Sequence, residues 1–277
     1  MTLTGSGSAH DPRTDPALRS AAPARTGAYG PARGLDRRVA LVTGASSGIG
    51  AATARRFALD GWHLLLSGRD RHGLERTASG TSAVVLPADL AAPDGPRLLA
   101  RSALHTTGRV DALVAGAGLG WTGPFAAMPH TDIDRVLTLD LNATLHLVRE
   151  VLPSMIAAGR GRVVLLGAAP GRAGVPQEAV HSAARAGLAA FAEALRRELR
   201  GTGVGVTLVE PGPVGAAFPG RGGHHTGRLS PGHVAARIWE AVSQDRDETA
   251  GSARANLPDR VRDLAPGLYR RLTNRQD

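Results

Sequence analysis

The chain has 277 residues, enough for one α/β domain with a substantial core. Cysteine is absent, which excludes a disulfide framework and thiolate metal sites, and no run of about 18 apolar residues is present to span a membrane. The net charge of +9 invites a nucleic-acid partner, but all 33 basic residues are Arg, they are scattered along the chain, and aromatics make up only 3%. That is too few for base-stacking platforms, so no nucleic-acid role is expected.

Residues 1–36 are rich in Gly, Ser, Ala, Pro and Arg without periodicity and read as a disordered arm. The arm lacks the continuous apolar core of a signal peptide, so a cytoplasmic protein is expected. A core domain over residues 37–250 follows. Residues 39–42 are apolar and partly β-branched, the pattern of a buried strand. Thr43-Gly44 ends that strand, and residues 49–58 read as a helix with small residues facing inward. Strand, glycine turn and helix form the opening of a nucleotide-binding βαβ unit. Gly44 allows the tight turn, Gly48 lets backbone N–H groups approach a pyrophosphate, and Gly50 lets the helix lie close to the strand. The partial positive charge of the helix N-terminus then faces the phosphates.

A second strand is expected over residues 63–66, ending in Ser67-Gly68-Arg69-Asp70. Sites that prefer NAD place an acid there for the ribose 2′-hydroxyl. Here Gly68 removes the carboxylate, and the Arg69 guanidinium suits a 2′-phosphate, so NADP(H) is expected over NAD(H). A third strand covers residues 83–86, and Asp89 after it either caps the next helix or faces an adenine edge. The fourth strand covers residues 110–115 and ends in Gly116-Ala117-Gly118. Thr131-x-x-Asp134 has the spacing of a capping box for one long helix through Met155. The fifth strand covers residues 162–166, a long amphipathic helix residues 183–199, and the sixth strand residues 204–209, ending at Glu210-Pro211-Gly212. Residues 218–229 form a Gly-, Arg- and His-rich loop placed for a substrate lid. Adjacent His224 and His225, without a further spaced ligand set, read as part of that polar loop, and no metal is expected. Ser230-Pro231 starts a helix, with Ser as cap and Pro in the first turn. Residues 251–277 read as a helical tail interrupted at Pro266.

Alternating strands and helices predict a single α/β domain: a Rossmann-type, doubly wound parallel sheet with helices on both faces. Ligands then gather beyond the carboxyl ends of the strands.

The motifs together resemble the short-chain dehydrogenase/reductase family over residues 37–215. They are Thr43-Gly44-Ala45-Ser46-Ser47-Gly48-Ile49-Gly50, Asp89-Leu90, Leu139-Asp140-Leu141-Asn142-Ala143-Thr144, Gly161-Arg162-Val163-Val164 and Glu210-Pro211-Gly212-Pro213-Val214. The resemblance implies that Gly44, Ser46, Ser47, Gly48, Ile49, Gly50, Arg69, Asp89, Leu90, Gly116, Arg185, Pro211 and Gly212 line the cofactor site. It also implies a small-molecule substrate carrying a carbonyl or alcohol. Helices equivalent to residues 139–155 and 183–199 pair subunits in many relatives, which implies a homodimer or homotetramer.

In that family a Tyr exchanges the proton at the substrate oxygen, a Lys four residues later supports it and holds the nicotinamide ribose, a Ser upstream bonds the carbonyl, and an Asn anchors a water relay. Only the Asn, Asn142, is kept. Ala168 stands at the Ser position, and His181 and Arg185 stand at the Tyr and Lys positions. The family's Asn-Asn-Ala-Gly after strand four is Ala115-Gly116-Ala117-Gly118, and a Thr expected after Pro211-Gly212 is Ala216. Loss of a carbonyl-binding hydroxyl such as the missing Ser removes up to ~3 kcal/mol of transition-state stabilisation, by analogy with an oxyanion donor. Arg185 stays charged and cannot relay a proton, although it can bond ribose hydroxyls. A neutral imidazole at position 181 is a fair base and a poor acid.

Three readings follow. The first is an NADP(H)-dependent oxidoreductase in which His181, Arg185 and Asn142 form the catalytic group. The second is a non-redox enzyme, a cyclase, dehydratase or isomerase, with His181 as base. The third is a catalytically silent nucleotide-binding protein.

Overall fold

A computed structural model describes residues 37–167, 174–211 and 229–250. The N-terminal arm, the C-terminal tail, residues 218–228 of the expected lid, Ala168, Gly212 and Ala216 lie outside the described residues. Seven parallel strands form one sheet: β1 (Val39–Thr43), β2 (His63–Ser67), β3 (Ala83–Val85), β4 (Ala112–Ala115), β5 (Gly161–Leu166), β6 (Val204–Glu210) and β7 (Glu248–Ala250). Their order is β3-β2-β1-β4-β5-β6-β7. All the pairings are parallel, with Val42 opposite Leu66 on one side and Val114 on the other.

Helices connect the strands: α1 (Gly48–Leu59), α2 (Arg71–Ala78), α3 (Gly95–Thr107), α4 (His130–Leu137), α5 (Ala143–Ala158), α6 (Ala179–Glu198) and α7 (Pro231–Ser243). Because side chains alternate along a strand, each strand feeds two cores. Val39, Leu41, Leu113, Val163, Leu165 and Leu208 pack with α3, α5 and α6 on one face. Ala40, Val42, Leu64, Leu66, Val114 and Val164 pack with Phe57 of α1, Leu74 of α2 and Ile238 of α7 on the other. Buried on both faces, these strands read as unbroken apolar runs. Phe57 is fully buried and sits 5.0 Å, centroid to centroid, from Trp62. Burying such a side chain contributes roughly 1.5–3 kcal/mol.

Two features depart from expectation. The region read as one helix through Met155 is α4, a single π-helical turn (Thr138–Asn142) and α5. Nor does Thr131 cap its start: Pro129 is the cap residue, without a side-chain bond, and His130 is already helical. Here proline stops the chain continuing backward as helix, so the Thr131–Asp134 spacing falls inside the first turns. The seventh strand is the other departure. It is only three residues long and lacks an apolar run. Its approach is fixed by polar contacts: Thr207 Oγ1 donates to the Arg246 carbonyl at 2.7 Å, and buried Arg162 bonds Thr207 Oγ1 at 3.3 Å. Arg162 also pairs with Asp245 and Asp247. Burial pushes the Arg162 guanidinium below its ordinary pKa, and Asp247 partly offsets this. The helix expected at Ser230-Pro231 is present, with the Ser230 hydroxyl accepting from the His233 N–H at 3.2 Å. Among the described residues no helix is long and apolar enough to cross a membrane.

The strand order reverses between β1 and β4, whose carboxyl ends therefore face a crevice with no crossover helix above it.

Candidate active site

The β1 end of the crevice is made by glycines. Gly44 and Gly48 both have φ near +60°, at 67° and 57°, a region that a Cβ disfavours. A Cβ on Gly44 would also come within 2.6 Å of the Gly116 carbonyl oxygen, and one on Gly50 would overlap the Gly44 carbonyl oxygen. The turn, the first turn of α1 and the end of β4 thus close on one another through bare backbone. The Thr43 hydroxyl binds them further, accepting from the N–H groups of Gly116 and Ala117 at 3.1 Å each and donating to the Val114 carbonyl at 3.4 Å. Ser47 is the N-cap of α1 but makes no side-chain cap bond. The leading N–H groups of α1, including that of Ile49, therefore have no bond from that side chain, as suits an anion site. Ser46 packs over the start of α2, where a Cβ on Gly73 would be 2.8 Å from its own Cβ.

Arg69 lies exposed just past β2, beside Asp70, whose carboxylate caps α2 by accepting from the Gly73 N–H at 3.0 Å. Asp89 is exposed and accepts from the Ala91 N–H at 3.0 Å, closing a local turn. Of the two expectations for Asp89, the helix cap is corrected: Asp94 is the cap residue of α3, five residues further on. Leu90, in the connection from β3 to α3, and Pro211, the first residue after β6, are buried.

On the other side of the crevice three ionisable side chains form a chain. His181, on the first turn of α6, places Nδ1 2.7 Å from Asp140 Oδ2. Arg185, one turn later, donates from Nε to His181 Nε2 at 3.2 Å. Its terminal nitrogen bonds the carbonyls of Leu166 and Gly167, at the end of β5, at 3.2 and 3.4 Å. Asp140 sits in the π-helical turn, with its second oxygen accepting from the Leu119 N–H at 2.5 Å. The imidazole is 12% exposed and the carboxylate 5%. Such burial of a charged group is tolerated because both its oxygens are bonded. π turns recur at functional sites because they re-aim one side chain out of helical register, and here the side chain so placed is Asp140.

The short chain dehydrogenase family profile matches residues 38–221. The chain belongs to the short-chain dehydrogenase/reductase family. It is 35% identical to the ketoacyl reductase HetN of Nostoc sp. over 185 residues, which cover 65% of this chain and 64% of that protein's length. Among solved structures it resembles a metagenomic short-chain oxidoreductase in complex with NADP, at 31% identity and a TM-score of 0.68, covering 77% of this chain and 95% of that one. A short chain dehydrogenase/reductase from Burkholderia phymatum in complex with NAD shares the fold with a TM-score of 0.75 at 24% identity, over 84% of this chain and 95% of that one.

In this family member His181 and Arg185 come together one helical turn apart. Asn142 does not join them in the described geometry. It lies exposed at the end of the π turn, and the group that reaches the imidazole is Asp140, two residues earlier. In the sequence Asp140 stands out only as a neighbour of Asn142 in the Leu139–Thr144 motif. The available signal was a lone acid between Leu139 and Leu141 in an apolar stretch, a position a carboxylate occupies only when paired.

Proposed function

We propose that the protein is an NADP(H)-dependent oxidoreductase that interconverts an alcohol and a carbonyl on a small molecule, with His181 exchanging the proton. The observation that carries this reading is the imidazole held between a carboxylate and a guanidinium where the family has Tyr and Lys. The dinucleotide suits the residues present. Gly44, Ser46, Ser47, Gly48, Ile49 and Gly50 offer a glycine-bent turn and a helix N-terminus without a side-chain cap to a pyrophosphate. Arg69, with no carboxylate at Gly68, offers a guanidinium to a 2′-phosphate. When bound, the nicotinamide supplies hydride transfer. Gly116 and Pro211 directly follow β4 and β6, Leu90 lies in the connection after β3, and Arg185 reaches the end of β5 from α6 through its guanidinium, which supports a cofactor lying along this edge.

The chain's own groups handle the proton. An Nε2 that accepts from the Arg185 Nε–H is the lone-pair nitrogen of a neutral ring. A neutral ring starts as a base. In alcohol oxidation the hydroxyl proton would pass to Nε2 and the carbinol hydride to the nicotinamide when one is bound; in carbonyl reduction the imidazolium would return the proton as the hydride comes back to the carbonyl carbon. Arg185 must turn its Nε from the ring for a substrate oxygen to reach Nε2.

A second reading has its own support. Both ring nitrogens of His181 are already occupied by protein groups, as in a structural polar node, which favours a nucleotide-binding protein without turnover. Assays of alcohol and ketone panels with NADP+ and NADPH separate the two. The first reading expects turnover that falls at least about a hundredfold in His181→Ala. The second expects cofactor binding, no turnover in the native protein and unchanged binding in the variant.

A further inference from the structure

We infer that Asp140 is a positioning residue that fixes the tautomer and orientation of His181, so that Nε2 rather than Nδ1 is the nitrogen that takes the proton. The inference rests on the reading of His181 as the proton-exchanging group, but its structural content can be tested without turnover.

The argument is one of donor and acceptor counting. Arg185 has only donors, so its Nε–H toward His181 Nε2 requires an unprotonated Nε2. A neutral imidazole carries one N–H, which is therefore on Nδ1, and that N–H donates to Asp140 Oδ2 at 2.7 Å. Asp140 is itself held. Oδ1 accepts from the Leu119 N–H, and the loop after β4 leaves space for the carboxylate at Gly118, where a Cβ would stand 3.3 Å from Oδ1. Asp140 is thus acceptor to two donors at once, on two oxygens. No other residue type of that size does this with a full negative charge. The same charge faces the imidazolium that forms when Nε2 takes up a proton, as a buried carboxylate does behind a catalytic imidazole in general.

An asparagine at position 140 has one acceptor oxygen for two donors. If that oxygen keeps Leu119, the amide NH2 points at His181 Nδ1 and requires a lone pair there. The imidazole proton moves to Nε2, where it opposes the Arg185 Nε–H. Asp140→Asn therefore keeps size and shape while reversing the tautomer.

Long-range 1H–15N correlation spectra of the full-length protein read this directly. The His181 signals are assigned by their loss in His181→Gln. The native protein is expected to show a protonated Nδ1 and a pyridine-like Nε2, and Asp140→Asn a protonated Nε2. A native His181 with Nε2–H, or with both tautomers equally populated, overturns the inference without any Asp140 variant. A folded Asp140→Asn that keeps the native tautomer overturns it too. With a substrate in hand, Asp140→Asn lowers kcat at least roughly a hundredfold while KM moves by less than about threefold; a raised KM with unchanged kcat contradicts the positioning role. Failure of the oxidoreductase reading appears separately, as absent cofactor binding or turnover in a native protein whose tautomer is still Nδ1–H.

Discussion

On the β1–β2 side of the sheet's reversal the site is made of backbone. Gly44, Gly48 and Gly50 close the turn, and the approaching groups are N–H and carbonyl. On the β4–β6 side it is made of side chains, an Asp140–His181–Arg185 chain tied to the Leu119 N–H and the β5 carbonyls. The first side follows the glycine spacing read from the sequence. The second carries Ala168, His181 and Arg185 where the resemblance implies Ser, Tyr and Lys. Physical chemistry accounts for the difference. A backbone cradle needs only the absence of Cβ atoms, so any loss is immediately steric and the pattern has one solution. A side-chain group needs a donor–acceptor network, and such networks have several solutions provided every buried polar atom finds a partner. An imidazole between a carboxylate and a guanidinium is one.

The sharpest way to break this comparison is Gly50→Ala. The added methyl overlaps the Gly44 carbonyl, a backbone atom that cannot swing aside. We expect a loss of about 1–3 kcal/mol in denaturant unfolding and NADPH affinity weakened at least about tenfold, with the His181 tautomer unchanged wherever the protein is folded. Asp140→Asn is its counterpart and is expected to leave the NADPH dissociation constant within about threefold while changing His181. If either variant disturbs both sides equally, the two halves are not separable.

Arg69→Glu has the next largest expected effect. A carboxylate beside a 2′-phosphate repels it and suits a 2′-hydroxyl, so the NADPH-to-NADH affinity ratio should fall at least about tenfold, or ~1.4 kcal/mol. An unchanged ratio removes Arg69 from the cofactor site. The smallest effect concerns the sheet beneath. Burial and Arg37 hold the His63 imidazole below its ordinary pKa. The unfolded chain therefore binds a proton more readily near pH 6.5 than the native one does. The contribution of neutral His63 is complete above that pH and declines as the pH falls through and below it. Thermal melts across pH 5–8 should show His63→Gln flattening this part of the profile without altering NADPH binding; an unchanged profile rejects the assignment.

Much of the fold was legible in sequence because strands covered on both faces are continuous apolar runs, and six of them stood out between glycine and charge punctuation. The seventh, Glu248–Ala250, was not legible because Arg162 and Thr207, distant in sequence, hold its approach by polar contacts. The π turn escaped for a different reason. Leu139-Asp140-Leu141-Asn142 continues an acceptable helical period, and only the three-dimensional partners of Asp140 show why one residue is inserted into the turn. The glycine turn could be read from spacing alone. The side-chain cluster could be read only in part: His181 and Arg185 are one helical turn apart and visible together, whereas Asp140 lies 41 positions from His181 and meets it through folding.

The most direct test of the account is a calorimetric titration of the purified protein with NADPH, NADH and NADP+. The account predicts saturable binding, tighter for NADPH and NADP+ than for NADH. No measurable heat with any of the three, from a folded protein, would contradict it: the glycine cradle would then be a remnant of the family fold, and the Arg69 assignment and the oxidoreductase reading would fall together.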